Sequence, residues 1–360
     1  MQTLDQSRIE AFAGQLATEV GAALNAALVT IGDQLGLYRA MADAQPIRAR
    51  ELAARTNTHE RYVREWLNTQ AAGGFVTYDS GEDSYTLPAE HAIILADESS
   101  PVAMAGIFQA ATAVMDGRTR VAEQFRTGEG VGWHEHHHGL FCGTERSFGA
   151  NYRMHLVQEW LPALTGVVEK LERGARVADV GCGHGASTIL MAQAFPASRF
   201  TGIDVHAESI AMARTRAQDA GVTDRVHFEV ADATVYGGSG YDLIAFFDAL
   251  HDLGDPVGAA RHARAALADD GSCLLVEPFA GDRIEDNLNP VGRMYYGFST
   301  LLCTPGSLSQ PGRAGLGTQA GEARLREVML EGGFGSVRRA AETPLNLVLE
   351  ARALSALATP

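Results

Sequence analysis

The sequence lacks the features that mark secreted, membrane-bound or nucleic-acid-binding proteins. Its four cysteines are widely spaced and form no Cys-x-x-Cys, so neither a disulfide framework nor a cysteine zinc site is indicated. No apolar run reaches membrane-spanning length, and the first residues do not read as a signal peptide. There is no long basic run, and the formal net charge of -15 disfavours a nucleic-acid or membrane partner. We therefore expect a soluble, cytoplasmic protein.

What the chain does have is enough length for two domains, 360 residues, and one dense pattern between residues 177 and 204. Residues 177–180, Val-Ala-Asp-Val, are apolar except for Asp179 and include two β-branched valines, which predicts a buried parallel strand. Three glycines follow at alternate positions, where the backbone can turn sharply and approach a ligand: Gly181, Gly183 and Gly185. Ser187 or Thr188 is expected to open the next helix. A second strand ends on Asp204, where doubly wound folds bind a ribose.

The carboxylate of Asp179 distinguishes this pattern from a dinucleotide site. A dinucleotide fingerprint is Gly-x-Gly-x-x-Gly, whereas the spacing here is Gly-x-Gly-x-Gly. A carboxylate inside the first strand is costly unless it is paired, and it suits a ligand with an ammonium group. Residues 179–185, Asp-Val-Gly-Cys-Gly-His-Gly, resemble the first motif of class I S-adenosylmethionine (SAM) methyltransferases, which implies SAM as the cofactor. The alternative is a Rossmann-like domain that binds NAD or FAD.

Residues 171–360 alternate between strand and helix patterns and predict the methyltransferase domain. The fold expected is α/β, a Rossmann-like doubly wound sheet of seven strands closed by a C-terminal hairpin. Five acids fall at or near predicted strand ends, where such sheets bind ligands: Asp179, Asp204, Asp232, Asp248 and Glu277. Residues 280–321 form a long insertion whose aromatic and amide residues suit an organic substrate.

The resemblance assigns roles to individual residues. Asp232 with Ala233 resembles the position that binds the adenine amino group, and residues 241–256 resemble the motif where substrate meets the methyl group. The cofactor-binding residues implied are Tyr152, Asp179, Gly181, Cys182, Gly183, Asp204, Val205, Asp232, Ala233, Phe247 and Asp248. The substrate-binding candidates are Trp133, His136, His137, Asp252, Glu277, Tyr296 and Phe298.

Residues 1–95 predict an N-terminal α-helical winged-helix domain. An apolar stripe recurs every three or four residues from Ile9 to Leu35 and indicates one long helix that packs on a second chain. A helix, a turn, a second helix with Thr58 as its N-cap, and a hairpin around Ser80 then resemble a winged helix. The resemblance implies dimerisation, as in small-molecule methyltransferases. DNA binding is the alternative, although the candidate recognition helix carries mixed charge.

Residues 96–170 are interpreted as a helical linker and lid. Four histidines lie between residues 134 and 138, without a recognisable metal-ligand spacing around them. A solvated loop, a pocket wall and a metal site all remain open there, and no metal is predicted. Tyr152 and Arg153 precede the first motif, where related enzymes close over the cofactor; simple helix packing is their alternative role.

Taken whole, the chain resembles class I methyltransferases that carry an N-terminal winged-helix dimerisation domain, with an actinobacterial small-molecule subgroup as the best match. This implies in-line methyl transfer to a small organic acceptor, in a homodimer. His251 is the candidate general base, since it follows the fourth strand and a histidine titrates near neutral pH; capping the turn is its alternative role. Two other functions stay open, a SAM- or S-adenosylhomocysteine-sensing winged-helix DNA-binding regulator and an NAD-dependent oxidoreductase.

Overall fold

The structure is a computed structural model that describes residues 4–353. The chain forms two compact units. One runs to Ala113 and includes Cys142–Ala150, and the other holds Val114–Phe141 and everything described from Asn151 onward. The predicted linker, residues 96–170, therefore contributes to both units.

The first unit is the winged-helix part of the chain. A single helix, α1 (Gln6–Gln34), opens it, and Asp5 caps that helix by accepting the backbone N–H of Ser7. The remaining elements are α2 (Ala49–Thr56), α3 (Glu60–Ala72), β1 (Thr77–Asp79), β2 (Ser84–Thr86), α4 (Ala89–Leu95) and α5 (Ala105–Asp116). Strands β1 and β2 pair antiparallel as the predicted wing. The predicted N-cap Thr58 is wrong by one residue, because the His59 side chain accepts the N–H of Arg61.

A compact apolar core holds this unit together. Trp66 of α3 is buried against Gly32 of α1, where an added Cβ would lie 2.5 Å from the indole ring, and its Nε1–H donates to the Leu28 carbonyl. Tyr38 packs edge-on against Trp66 and donates to Gln70, which is itself buried. Every buried residue of α1 lies at Asn25 or beyond.

Five further helices and two π-helical turns lie in the segment before the sheet and in the insertion. The segment before the sheet holds α6 (Arg118–Thr127), α7 (Gly139–His155), a π-helical turn (Leu156–Trp160) and α8 (Val167–Arg173). The insertion holds α12 (Pro290–Phe298), a second π-helical turn (Ser299–Cys303) and α13 (Thr304–Leu308). The residues predicted as a functional insertion are thus mostly helical.

The second unit is built on a seven-stranded sheet, in the order β5-β4-β3-β6-β7-β9-β8. Its strands are β3 (Arg176–Val180), β4 (Arg199–Asp204), β5 (Val226–Val230), β6 (Tyr241–Phe247), β7 (Leu267–Pro278), β8 (Ser336–Glu342) and β9 (Asn346–Arg352). The helices between them are α9 (Ala186–Ala194), α10 (Ala207–Asp219), α11 (Pro256–Ala266) and α14 (Gly321–Glu331). All pairings are parallel except those of β9, which is antiparallel to β7 and β8.

This topology confirms the predicted fold class and locates a ligand site. The chain runs outward from β3 through β4 to β5 and then returns to the other side of β3 with β6. The strand order therefore reverses between β3 and β6, and ligands of doubly wound sheets bind at the carboxyl ends beside such a reversal. Among residues 4–353, no helix has both the length and the hydropathy needed to cross a bilayer.

Candidate functional site

Asp179 lies at the centre of the site, one residue before the end of β3. Its side chain is buried, and its Oδ2 accepts the hydroxyls of Ser187 and Thr188 at 2.6 Å each. The expectation that one of these hydroxyls opens α9 is wrong, because the helix begins at Ala186 behind Gly185 and both hydroxyls turn back to the carboxylate. The other oxygen, Oδ1, is buried without a hydrogen-bond partner within the described chain. A buried acceptor left open in this way marks a place where a ligand donor fits.

Burial raises the pKa of Asp179 from 3.8 to about 6, although both hydroxyls act to lower it. The folded chain consequently holds a proton on this carboxyl over a pH range in which the unfolded chain has released it. A cationic group beside Oδ1 would favour the charged form and remove this cost.

The glycine turn after β3 brings the backbone to the same place. Gly181, Gly183 and Gly185 all have positive φ values, between 51° and 79°. A Cβ on Gly181 would lie 2.6 Å from the Ala249 Cβ, and one on Gly185 would lie 2.6 Å from the Phe228 ring. At Gly183 an added Cβ would meet no atom of residues 4–353 within 4 Å. The turn is therefore tightly packed at Gly181 and Gly185, and it is open at Gly183.

Asp204 ties the end of β4 to this turn. Its Oδ2 accepts the Gly183 N–H at 2.9 Å, and its Oδ1 accepts the His206 N–H at 2.8 Å. Burial raises the pKa of Asp204, and the two backbone donors oppose that rise. Val205, the next residue, is 68% exposed.

Asp232 follows β5 and is exposed, unlike the other acids of the site. Its Oδ1 accepts the backbone N–H and the hydroxyl of Thr234, at 2.8 and 2.6 Å. These two hydrogen bonds stabilise the turn that contains Asp232. Ala233 beside it is half-buried. The two residues predicted to bind adenine thus lie at a strand end two strands away from Asp179.

Asp248 follows β6 with a left-handed backbone, at φ 50°, which is uncommon for a residue other than glycine. Its Oδ1 accepts the Asn346 amide at 3.2 Å, and its buried Oδ2 has no hydrogen-bond partner within the described chain. Burial and the nearby Glu277 charge raise its pKa well above the usual value. Strained backbone and an open buried acceptor both occur preferentially at functional sites.

Tyr152 and Phe247 form an aromatic wall beside these acids. Both side chains are buried, and their ring centroids lie 5.4 Å apart. Burial raises the pKa of Tyr152 well above its usual value, and the charges of Asp248, Asp179 and Glu277 add to that rise. The phenol therefore stays neutral next to the carboxylates.

His251 is held between two carboxylates in the 3₁₀ turn Leu250–Asp252. Its Nδ1 is hydrogen-bonded to Glu277 Oε2, and its Nε2 lies 3.3 Å from Asp252 Oδ1. Glu277 also accepts the Leu250 N–H at 2.9 Å through its other oxygen. Burial alone would lower the His251 pKa, but the charges of Asp252 and Glu277 outweigh it and raise that pKa well above its usual value.

The other residues predicted to bind substrate differ from one another in burial and in their contacts. Trp133 packs on Phe141, whose ring lies 5.0 Å from that of His206, just past Asp204. His136 is buried, whereas His137 is exposed and accepts the Gly139 N–H at the start of α7. Tyr296 and Phe298 are half-buried on α12.

Several contacts of the site had no signal in the sequence. By residue type Ser187 or Thr188 suggests a helix start, and nothing local indicates that both hydroxyls donate to Asp179. Asn346 comes from β9, 98 residues beyond Asp248. Such partners are set by packing between distant segments, which a local pattern does not encode.

Comparison with known proteins finds a match in each of two segments of the chain. Residues 22–97 match a family model described as the Rv2258c-like winged HTH domain. Residues 171–304 match a family model described as a methyltransferase domain. The second match includes β3 to β7, and with them Asp179, Asp204, His251 and Glu277.

Curated relatives match only part of their own length. The 27-O-demethylrifamycin SV methyltransferase of Amycolatopsis mediterranei is 36% identical over 107 residues, which are 29% of this chain and 39% of that protein. The ubiquinone biosynthesis O-methyltransferase of Bordetella avium is 35% identical over 121 residues, 32% of this chain and 46% of that protein. The chain thus spans less than half the length of these relatives.

In structure, the chain is similar to human N-acetylserotonin methyltransferase solved with SAM. The TM-score is 0.72 at 15% identity, over 98% of this chain and 99% of that chain. At this identity the likeness concerns the fold.

Asp179→Asn should raise the melting temperature of the ligand-free protein at pH 7. The asparagine oxygen still accepts from Ser187 and Thr188, but no charge has to be buried. Because the folded pKa of about 6 lies above 3.8, stability falls as the pH rises between those values. The gain should therefore shrink at pH 5, where the folded wild type already carries the proton.

Thermal unfolding followed by circular dichroism at both pH values measures this difference. Asp232→Asn, at the exposed acid that follows β5, is the matched control and should change little at either pH. An equal gain at pH 5 and pH 7 would contradict the raised pKa of Asp179.

Proposed function

From a chain that combines a winged helix-turn-helix domain with a methyltransferase domain, we propose a SAM-dependent methyltransferase that acts on a hydroxyl group of a small organic molecule. The observation that carries this proposal is the buried pair of His251 and Glu277 beside the Asp179 site. A methyl transfer needs a base only where the acceptor loses a proton, which favours oxygen as the acceptor atom. The relatives named as O-methyltransferases support the same choice.

The open acceptors of the site fit SAM. Asp179 Oδ1 suits the ammonium group of the methionine arm, and Asp204 suits the ribose hydroxyls at the end of the second strand of the sheet. Gly183 leaves room for the ligand, and Asp232 with Ala233 is placed for the adenine. When bound, SAM supplies an electrophilic methyl group on a sulfonium. The remaining cofactor contacts proposed are Tyr152, Gly181, Cys182, Val205, Phe247 and Asp248.

His251 takes the acceptor proton at Nε2. Glu277 holds the ring through Nδ1 and is itself fixed by the Leu250 N–H, so we assign it to positioning His251 rather than to binding substrate. A base works in its deprotonated form, and the two carboxylates raise the His251 pKa. Turnover should consequently increase with pH above neutrality.

The acceptor lies against the residues that surround His251 on the insertion and lid side. Tyr296 and Phe298 of α12 supply half-buried aromatic area, and Trp133 and His136 supply a second wall. Such a lining suits a planar organic molecule. Asp252 borders the same space, whereas the exposed His137 is the weakest of the candidates.

The two alternative functions have less support. The arginines of α3 pair with carboxylates of their own domain, Arg61 with Glu65 and Arg64 with Glu60, which leaves little free charge for phosphates. For an NAD site, the unpaired buried oxygen of Asp179 would face a pyrophosphate and repel it.

A homodimer through α1 completes the proposal. The described part of α1 before Asn25 has no buried residue, yet it carries an apolar stripe in which Phe12 is 58%, Val20 60% and Leu24 65% exposed. A helix of 29 residues is about 44 Å long, enough for a substantial interface. A second copy of the same stripe offers a complementary apolar partner.

Calorimetric titration with S-adenosylhomocysteine, run beside NAD, tests the cofactor. The first should bind and the second should not, and Asp204→Asn should weaken binding by about tenfold or more because a charge-assisted hydrogen bond is lost. Asp224→Asn, an exposed acid of the same unit, is the control and should bind like wild type. NAD binding with no response to S-adenosylhomocysteine would refute the cofactor assignment.

His251→Ala should reduce methyl transfer by about 10²–10⁴-fold while S-adenosylhomocysteine affinity stays near wild type. Asp252→Asn removes one of the charges that raise the His251 pKa, so the rising limb of the pH–rate profile should move to lower pH. The His251 imidazole, followed by nuclear magnetic resonance, should titrate at the same lower pH. A uniformly slower Asp252→Asn enzyme with an unshifted limb would argue for a structural role.

Leu16→Glu should convert the protein from twice the chain mass to the chain mass in size-exclusion chromatography with light scattering. Thr18→Glu adds the same charge on the opposite face of α1, where both side chains are exposed, and should leave the dimer intact. A wild type that elutes as a monomer would exclude this dimer.

A further inference from the structure

Three side chains with different donor atoms converge beside the base. Single donor atoms of His251, Asp252 and Cys303 lie within 4.8 Å of one another, and the histidine and cysteine are buried. His251 and Asp252 come from the turn after β6, whereas Cys303 ends the π-helical turn Ser299–Cys303 of the insertion. Turns of this π-helical kind occur frequently at functional sites.

The hydrogen bond of His251 Nδ1 to Glu277 leaves the other ring nitrogen, Nε2, facing this cluster. The Nε2 atom lies 3.3 Å from Asp252 Oδ1. A metal-bound histidine almost always makes the same outer contact, with its second ring nitrogen on a carboxylate. Glu277 is therefore placed to orient His251 toward a metal as well as toward an acceptor.

Two polar atoms here are buried and make no hydrogen bond in the described part of the chain, Asp252 Oδ1 and His136 Nε2, although Asp252 Oδ1 lies at an ion-pair distance of 3.3 Å from His251 Nε2. His136 is only 8% exposed and lies close enough to Asp252 to be influenced by its charge. A buried polar atom that makes no hydrogen bond is a candidate for binding a ligand. An ion at the cluster would coordinate the Asp252 carboxylate.

We propose that His251, Asp252 and Cys303 form a binding site for a divalent metal ion of the zinc class. Thiolate, imidazole and carboxylate together are typical zinc ligands, with Zn–S and Zn–N bonds of about 2.3 and 2.1 Å. Ligand atoms around such an ion lie roughly 3.6 Å apart, so the three side chains would move inward by about 1 Å at most.

Metal binding here displaces protons. Burial, together with the Asp252 charge, raises the pKa of the Cys303 thiol to about 12, so the thiol carries its proton until an ion replaces it. The thiol proton and the Nε2 proton of protonated His251 leave to solvent, the sulfur and Nε2 lone pairs form the bonds to the metal, and the metal keeps its oxidation state.

The functional consequence, which rests on the proposed function, is inhibition. His251 Nε2 has one lone pair, and an ion that takes it removes the base. A zinc-loaded enzyme should accordingly fail to transfer methyl groups and should recover when a chelator removes the ion.

Cobalt(II) titration of the chelator-treated full-length protein tests the site without any activity measurement. Wild type should develop a near-ultraviolet thiolate-to-cobalt charge-transfer band. Cys303→Ser should lose it, while Cys142→Ser, at a half-buried cysteine of α7, should keep it. Circular dichroism checks that each variant is folded, and Asp252→Asn should weaken the cobalt affinity about tenfold or more. No band in wild type, or an equal band in Cys303→Ser, would overturn the metal site.

S-adenosylhomocysteine binding separates this result from the proposed function. A cobalt band in a protein that does not bind S-adenosylhomocysteine would support the metal site and count against the methyltransferase. Normal S-adenosylhomocysteine binding with no cobalt band would do the reverse. If both bind, loss of methyl transfer with zinc and its return with chelator should follow in wild type and should be absent in Cys303→Ser; zinc-insensitive turnover would overturn the inhibition.

Discussion

A buried carboxylate with one oxygen left open is the constraint on which the site depends. Asp179 sits inside β3, held on one side by the hydroxyls of Ser187 and Thr188, while its other oxygen has no partner in the part of the chain described. Burying such a group costs folding free energy, which the large apolar sheet around it offsets. The glycine turn that follows gives the backbone access to the same point. The free-energy cost of burying this carboxylate would be offset if a cationic ligand bound beside its open oxygen.

The parallel sheet gathers negative charge at one edge, because the carboxyl ends of its strands meet there. Burial raises the pKa of Asp179, Asp204 and Asp248, and nearby charges add to the rise, Asp204 at Asp179 and Glu277 at Asp248. The His251 imidazole lies in direct contact with two carboxylates of this region, Asp252 and Glu277. Its protonated form balances that charge, and its neutral form can accept a proton or a metal. His251 therefore links the charge at this edge of the sheet to both the proposed methyl transfer and the proposed metal binding.

The elements of the fold could largely be predicted from local pattern. The alternation of β-branched strands with helices, and the hairpin after Gly333, gave the seven-stranded sheet, because strand and helix periods are short-range properties. Helix ends were less predictable. Thr58 and Ser187 looked like caps by residue type, but His59 and Gly185 occupy those positions. Whether a residue caps a helix depends on its backbone angles, and a neighbouring polar residue can adopt the same angles.

The sequence by itself determined the sheet, the glycine turn and the acids at the strand ends, since each of these follows from spacing within one segment. Only the tertiary structure decided which groups meet. Glu277 reaches His251 from the next strand, Asn346 reaches Asp248 from β9, and Cys303 reaches Asp252 from the insertion. Contacts between segments 26 to 98 residues apart depend on register and packing, which no single stretch of sequence specifies.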